Sequence, residues 1–596
     1  MFLSADVNMP DTVLEVFEAT AHAHASRPAM ARKRSGAWEL TSWREYREAV
    51  HRAARALVAL GVAPGGGVVI LAGNRPEWFV ASLATASVGA RAAGIYTNST
   101  AEQCRYIAEH AEAVVAVVDN AATLAKLQSP TDRPAELRFV VLLDGTSAEP
   151  GTLTWTDFLA RGEATHEPEV ARRTAALNGS TVSTLIYTSG TTGTPKAVML
   201  TQRNLAFIAE KIQELVPIGA GDRLISYLPL SHIAEQVVSH LLSIATAATV
   251  YFAESLEKMP ENLREVRPHF FLGVPRVWEK IQAGIQAAGA QASPLRRRIA
   301  AWARGVGHAA GDAAMAGRPR PWSYALAQRL VFSKVRARLG LDAARMLCVS
   351  SAPIAKETLD FFQSLGMPIM EAYGMSECTG PTTMSLPERY QLGRAGFAIP
   401  GTELRVAEDG EVLMRGPHVF LGYYKNEEAT RETLDASGWL HSGDVGEIDR
   451  EGYLRITDRK KELIITAGGK NIAPQHLEGQ LKQIAAVSQA VAIGDRRPYV
   501  VALLTLDPAR VAAEAAKAGS QARTPEAAAS DPVFKAYLEK QVEAVNQGLA
   551  RYETIKRIAI LPRELSVDAG ELTPTLKLKR RAIHERHKDA IDALYA

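Results

Sequence analysis

The glycine-spaced, hydroxyl-rich stretch Tyr187-Thr-Ser-Gly-Thr-Thr-Gly-Thr-Pro-Lys196 has the side chains best suited to work on a phosphorylated molecule. Gly190 and Gly193 let the backbone approach an anion closely, and Thr188, Ser189, Thr191, Thr192 and Thr194 offer hydroxyl donors. Lys196 closes the stretch with a positive charge. The β-branched run Thr181 to Ile186 just before it predicts a strand that empties into this loop. No Gly-Lys-Ser/Thr follows Gly190 at Walker spacing, so the ordinary kinase or ATPase reading loses its main support. Standing alone, the segment could equally be a solvated turn.

Four further segments follow it in order: Tyr373-Gly-Met-Ser-Glu377, Gly438-Trp-Leu-His-Ser-Gly-Asp444, Asp458-Arg-Lys-Lys461 with Ala467-Gly-Gly-Lys-Asn471, and Gly570-Glu-Leu-Thr-Pro-Thr-Leu-Lys577. Together the five resemble the adenylate-forming superfamily of acyl-CoA synthetases, luciferases and peptide-synthetase adenylation domains. Within it, Tyr373 to Pro381, Ile464 to Ile472 and Gly570 to Arg580 look like the bubblegum-type long-chain fatty acyl-CoA ligases, over nearly the whole chain.

That resemblance implies a two-step reaction. A fatty carboxylate attacks the α-phosphorus of ATP to give acyl-AMP and pyrophosphate, and the thiolate of coenzyme A then displaces AMP. By resemblance, the loop from Thr188 to Lys196 (Thr188, Ser189, Gly190, Thr191, Thr192, Gly193, Lys196) holds the β- and γ-phosphates, and Glu377 with Thr188 serves Mg²⁺. Tyr373 stacks on adenine beside Gly374, Ser376 touches the α-phosphate, and Ser351, Ala352 and Pro353 complete the base pocket. Many relatives carry glycine where Ser350 stands. Asp444 and Arg459 take the ribose, and His232 flanks the acyl carboxylate. Lys577 bridges that carboxylate and the α-phosphate. Lys461 is the pivot of a carboxy-terminal rotation that withdraws Lys577 and presents Gly468 and Gly469 as a passage for coenzyme A. Lys577, His232, Lys196 and Glu377 are thus the expected catalytic groups. Without the family context, Lys577 and its neighbours read as a solvated basic run, and His232 as a satisfied core histidine.

Composition agrees with such an enzyme. The 596 residues are 47% apolar and 22% charged, enough for more than one core. A net charge of +3 gives no global field for nucleic acid. Cys104, Cys348 and Cys378 lack paired metal spacing and fit a reduced, cytoplasmic setting. The first 27 residues include Asp6, Asp11, Glu15 and Glu18, unlike a secretion signal, and no 18-residue apolar run occurs. His584 and His587 stand in a charged terminal helix without evident partners, which argues against a metal hydrolase.

Short apolar runs at Gly67 to Leu71, Ala113 to Val118, Phe139 to Leu143, Leu185 to Tyr187, Thr249 to Phe252 and Met346 to Ser350 alternate with helical stretches. The fold class is therefore α/β, with a large N-terminal domain of parallel sheets and helices over residues 1–458. Short strands over about 401–456 suggest a small barrel-like β subdomain, and residues 459–596 a small mobile α+β domain. An insertion at about 285–340 resembles that of long-chain synthetases: ten cations (Arg296, Arg297, Arg298, Arg304, Arg318, Arg320, Arg329, Lys334, Arg336, Arg338) face one acid, Asp312. Trp302, Trp322, Tyr324, Leu326 and Leu330 interleave with them. Such a surface suits peripheral contact with an anionic membrane, and equally a solvated hairpin. Alternatives to the long-chain ligase are an aryl or medium-chain acid:CoA ligase and a catalytically silent lipid- or adenylate-binding protein. The sequence does not choose between monomer and homodimer.

Overall fold

The computed structural model describes residues 10–127, 134–188, 194–468, 470–573 and 577–596. Its largest sheet has eight strands in the order Gly422–Tyr423, Lys196–Thr201, Val182–Thr188, Arg91–Gly94, Gly67–Leu71, Ala113–Val118, Phe139–Leu142, Thr152–Thr154. The last six run parallel, and the first two add antiparallel pairs at one edge. Alternate residues of Gly67–Leu71 enter different cores: Val68 and Ile70 pack in one, Val69 and Leu71 in another. A strand buried on both faces must be apolar throughout, which is why these runs lack polar alternation.

A four-stranded sheet (Arg223–Ser226, Thr249–Phe252, Pro28–Arg34, Ala37–Ser42) and a five-stranded one (Phe270–Gly273, Met346–Val349, Ile369–Met375, Gly380–Met384, Phe397–Ala398) complete the α/β part. Helices close over them with local signals visible in the chain. Ser42 and Glu45 form a capping box for Trp43–Ala59, which turns Trp43, Tyr46, Val50 and Leu57 into the core.

The β subdomain is an antiparallel sheet ordered Glu403–Val406, Glu411–Arg415, Leu440–Ile448, Leu454–Arg459. Barrel-like closure is not seen, because its outer two strands do not pair in this sheet and four strands leave two edges. Beyond it, Val487–Ile493, Val500–Leu506 and Ile555–Ile560 form a three-stranded sheet with hydrophobic clusters of its own.

The basic segment is helical. Pro294–Met315 packs on the arm formed by Tyr324–Ala327, Gln328–Phe332 and Ser333–Leu339 through Ala303, Ala327 and Phe332. Pro294–Met315 docks on Lys356–Ser364 at two glycines: a Cβ on Gly307 would meet Ser364 O at 2.1 Å, and one on Gly311 would meet Gln363 Cδ at 2.2 Å. Leu295, Ile299, Trp302, Trp322, Leu326 and Leu330 stay exposed, Trp322 at 89%.

Candidate active site

One cleft of about 3900 Å³ gathers most of the residues singled out from the sequence. Thr188, Lys196, His232, Ser350, Ser351, Ala352, Pro353, Tyr373, Gly374, Ser376, Glu377, Asp444, Arg459, Lys461 and Lys577 all line it. Ser189, Gly190, Thr191, Thr192, Gly193 and Gly469 lie outside the described residues. Gly468 is exposed and is not among the residues that line this cleft.

The antiparallel pair Val182–Thr188 and Lys196–Thr201 sets Thr188 opposite Lys196, which fixes both ends of the glycine-rich loop side by side. Lys196 Nζ lies 4.9 Å from the centroid of the Tyr423 ring. Tyr423 in turn donates its hydroxyl to Glu377 Oε1 at 2.7 Å. Sequence reasoning missed Tyr423; its only signal was the Gly422-Tyr-Tyr run, which resembles any short strand.

Gly374 owes its identity to a backbone crossing. The register slips between Tyr373 and Gly374 as Ile369–Met375 pairs with Gly380–Met384, and a Cβ at 374 would meet Gly380 O at 1.7 Å. Gly374→Ala should therefore destabilise the protein by about 3 kcal/mol and displace Ser376 and Glu377. A lower urea midpoint by tryptophan fluorescence, with weaker AMP binding, is the expected result; an unchanged midpoint would contradict the packing argument.

The turn Ser351-Ala352-Pro353 on the cleft wall also has an unusual backbone. Ser351, not Ser350, adopts a left-handed backbone, with φ +74°. A non-glycine residue there carries a strain of about 1–2 kcal/mol.

Asp444 and Arg459 face each other across Leu440–Ile448 and Leu454–Arg459, and Arg459 Nε donates to Asp444 Oδ1 at 3.0 Å. Tyr373 donates its hydroxyl to Asp444 Oδ2 at 2.8 Å, and Ser442 Oγ accepts from Asp444 N at 3.0 Å. Asp444 is thus only 5% exposed, each of its carboxylate oxygens accepting one bond while Ser442 holds its main chain.

His232 caps the short helix Ile233–Glu235 by accepting from Ala234 N through Nδ1 at 3.1 Å. Burial, with the nearby Lys577 charge, pushes its pKa down to about 4. The neutral ring therefore carries its hydrogen on Nε2, the tautomer that can donate to a carboxylate without repelling Lys577.

Lys577 is reachable by solvent from the cleft, yet sits deep among protein atoms. Desolvation lowers its pKa and Arg459 lowers it further, while Asp444, Glu377 and Glu462 act the other way. Lys577 N donates to Thr573 Oγ1 at 3.0 Å, and Lys577 O accepts from Thr573 N at 2.8 Å. Two residues before Thr573, Glu571, fully buried, receives two bonds from Arg563 (2.7 and 2.8 Å) and one from His587 Nε2 at 2.9 Å. Burial alone would raise the Glu571 pKa; the Arg563 and His587 bonds outweigh it and hold it at about 2. His587 thus has a structural partner that its place in a charged terminal helix did not reveal.

No group of three or more His, Cys, Asp or Glu side chains suited to a metal occurs among the described residues. The Glu377 carboxylate and the Thr188 hydroxyl still fit Mg²⁺, which favours hard oxygen donors and keeps much of its shell for phosphate and water.

The fold and the cleft are those of adenylate-forming enzymes. The chain belongs to the AMP-binding enzyme family: that family's profile matches residues 17–424, and the AMP-binding enzyme C-terminal domain matches residues 461–596. Among curated proteins it is 38% identical to Long-chain-fatty-acid–CoA ligase ACSBG2 of Xenopus laevis, covering 98% of this chain and 84% of the relative. It is 34% identical to the protein of that name in Homo sapiens (98% and 92%) and 36% to Long-chain-fatty-acid–CoA ligase ACSBG1 of Bos taurus (98% and 85%). Solved structures share the fold. The adenylation domain of a carboxylic acid reductase from Segniliparus rugosus with AMP aligns at TM-score 0.72 and 20% identity, over 99% of this chain and 95% of that one. A Mycobacterium tuberculosis fatty acyl CoA synthetase aligns at 0.60 and 20%, over 97% and 99%.

Proposed function

We propose that this protein is an AMP-forming long-chain fatty acid–CoA ligase. The observation that carries the reading is the continuity of one cleft: it runs from Lys577, His232 and Asp444 to an apolar wall of Ile281, Ile285, Val331, Val335 and Phe361. A carboxylate held at the polar end can therefore extend a hydrocarbon tail toward the basic helical segment. Full-length likeness to proteins named long-chain-fatty-acid–CoA ligases supports the same substrate class.

In the first step the protein brings two anions together. His232 Nε2–H and the Lys577 ammonium hold the fatty carboxylate against the α-phosphate, and Asp444 with Arg459 fixes the ribose. Tyr373 and the Ser351-Ala352-Pro353 turn enclose the base. Lys196 and the loop from Thr188 take the departing pyrophosphate. Glu377 and Thr188 would hold Mg²⁺, which would supply positive charge to the phosphate oxygens. In the second step the residues after Lys461 turn about it as one domain, while Arg459, expected in that domain, stays with the β subdomain as the end of the strand Leu454–Arg459. Lys577 leaves, and Gly468 and Gly469 arrive beside the acyl carbonyl to admit the coenzyme A thiol.

The test is a panel of free acids from short to very long chains, assayed for AMP and acyl-CoA with ATP and coenzyme A. Maximal turnover with long chains is expected. A maximum at aryl or medium-chain acids would move the specificity, and ADP as the nucleotide product would overturn the reading.

No helix among the described residues is long and apolar enough to cross a membrane. We propose peripheral contact with anionic lipid through Arg296, Arg297 and Arg298, beside the exposed Leu295, Ile299 and Trp302. Each basic residue at such a surface contributes about 1 kcal/mol. Changing the three arginines to Gln should weaken sedimentation with phosphatidylserine vesicles by about a hundredfold in affinity. Unchanged sedimentation would mean that the arginines only solubilise the segment.

A further inference from the structure

The two charged groups aimed at the outer phosphates come from distant parts of the chain, and a single side chain touches both. Tyr423, 7% exposed, donates to Glu377 Oε1 at 2.7 Å, and its ring lies 4.9 Å below Lys196 Nζ. Its own position is fixed on several sides. Tyr423 pairs with Val198 on the strand that begins at Lys196, and its N–H donates to Thr430 Oγ1 at 2.8 Å. Phe420 meets its ring edge-on at 5.0 Å, and Phe420 N donates to Glu377 O at 2.9 Å. The short segment from 420 to 423 thus grips Glu377 by main chain and side chain together.

The Tyr423 hydroxyl is the donor in this contact, since a carboxylate oxygen can only accept. That bond occupies Oε1. No hydrogen bond from the described residues reaches Oε2 of Glu377, which lies on the cleft wall.

We propose that Tyr423 is a positioning residue: it turns the second oxygen of Glu377 toward a divalent cation on a bound triphosphate, and its ring holds Lys196 over the same phosphates. The proposal rests on the nucleotide reading given above. It separates the two halves of the nucleotide site, because Asp444, Arg459 and Tyr373 serve the nucleoside and, among the described residues, share no hydrogen bond or ring contact with Tyr423.

The experiment compares wild type, Tyr423→Phe and Tyr423→Leu. Mn²⁺ binding is titrated by electron paramagnetic resonance with α,β-methylene-ATP present, and AMP binding is measured separately by calorimetry. Losing one hydrogen bond to a charged group should weaken Mn²⁺ binding in Tyr423→Phe about tenfold. AMP affinity should stay within about twofold, since AMP lacks the outer phosphates and reports the nucleoside contacts alone. Tyr423→Leu, which also removes the ring, should weaken binding of the analogue by about a further threefold. Excess Mg²⁺ should restore acyl-AMP formation in Tyr423→Phe. Unchanged Mn²⁺ affinity, or AMP affinity falling in step with it, would overturn the proposal. Absence of AMP binding by the wild type would instead count against the nucleotide reading itself.

Discussion

Lys577→Ala is expected to lower acyl-adenylate formation by about a thousandfold, while thioester formation from supplied acyl-AMP stays within a few-fold of wild type. Bringing a carboxylate to an α-phosphate opposes two negative charges inside a partly desolvated cleft, where a lost cation costs far more than in water. The compact ammonium can serve both anions at once as a point charge. His232 is neutral, with its pKa near 4, and Arg459 is committed to Asp444, so neither replaces the missing charge. ATP–pyrophosphate exchange reads the first step, and synthetic acyl-AMP with coenzyme A reads the second. Equal loss in both would contradict the assignment.

The pH dependence follows with a definite sign. A depressed lysine pKa means the charged form is lost as pH rises through a value below the ordinary 10.5. The alkaline limb of kcat/KM for ATP should therefore fall earlier than for a solvated lysine. In Lys577→Arg the residual activity should lack that limb, because guanidinium stays charged.

Lys461→Pro should slow the thioester step by about a hundredfold and leave adenylation within about threefold, a rearrangement failing where the first geometry survives. The surroundings of Lys461 explain the asymmetry. Lys460 is held to the β subdomain: its Nζ reaches Asp409 at 2.5 Å and Glu411 at 3.1 Å, and its N–H donates to Gly443 O at 2.8 Å. Glu462 is held from the other side by Arg580 and Gln475, each at 3.2 Å. Lys461 alone lies between these anchors, enclosed by bonds from Glu462 N (2.9 Å) and Leu463 N (3.1 Å) to Arg459 O that a rotation has to open. No backbone bond of the described residues uses the Lys461 N–H, so proline removes none where it stands. Its ring then fixes φ near −65° and restricts Lys460, which blocks the swing. Rates of both half-reactions on one preparation decide it; parallel losses would remove Lys461 as the pivot.

Much of the architecture could be read one residue at a time. Runs such as Ala113 to Val118 stand as buried parallel strands because a strand covered on both faces leaves no place for a polar residue. The residues that the ordered motifs singled out, Thr188, Lys196, Glu377, Asp444, Arg459 and Lys577, line a common cleft.

Other features depended on neighbours remote in the chain. Gly374 is glycine because Gly380 O crosses it, and Ser351 takes a left-handed backbone that its residue type does not announce. Tyr423 reaches Glu377 across 46 positions, and His587 meets Glu571 from the final helices. Gly468 stands away from the cleft because the carboxy-terminal part is seated with Lys577 inward. Sequence by itself therefore determined the strands, the chemistry and the identity of the charged groups, since periodicity and motif spacing act within a few residues. Only the tertiary structure decided which side chain orients which: a hydrogen bond is set by a few ångströms of space, and separation along the chain does not encode it.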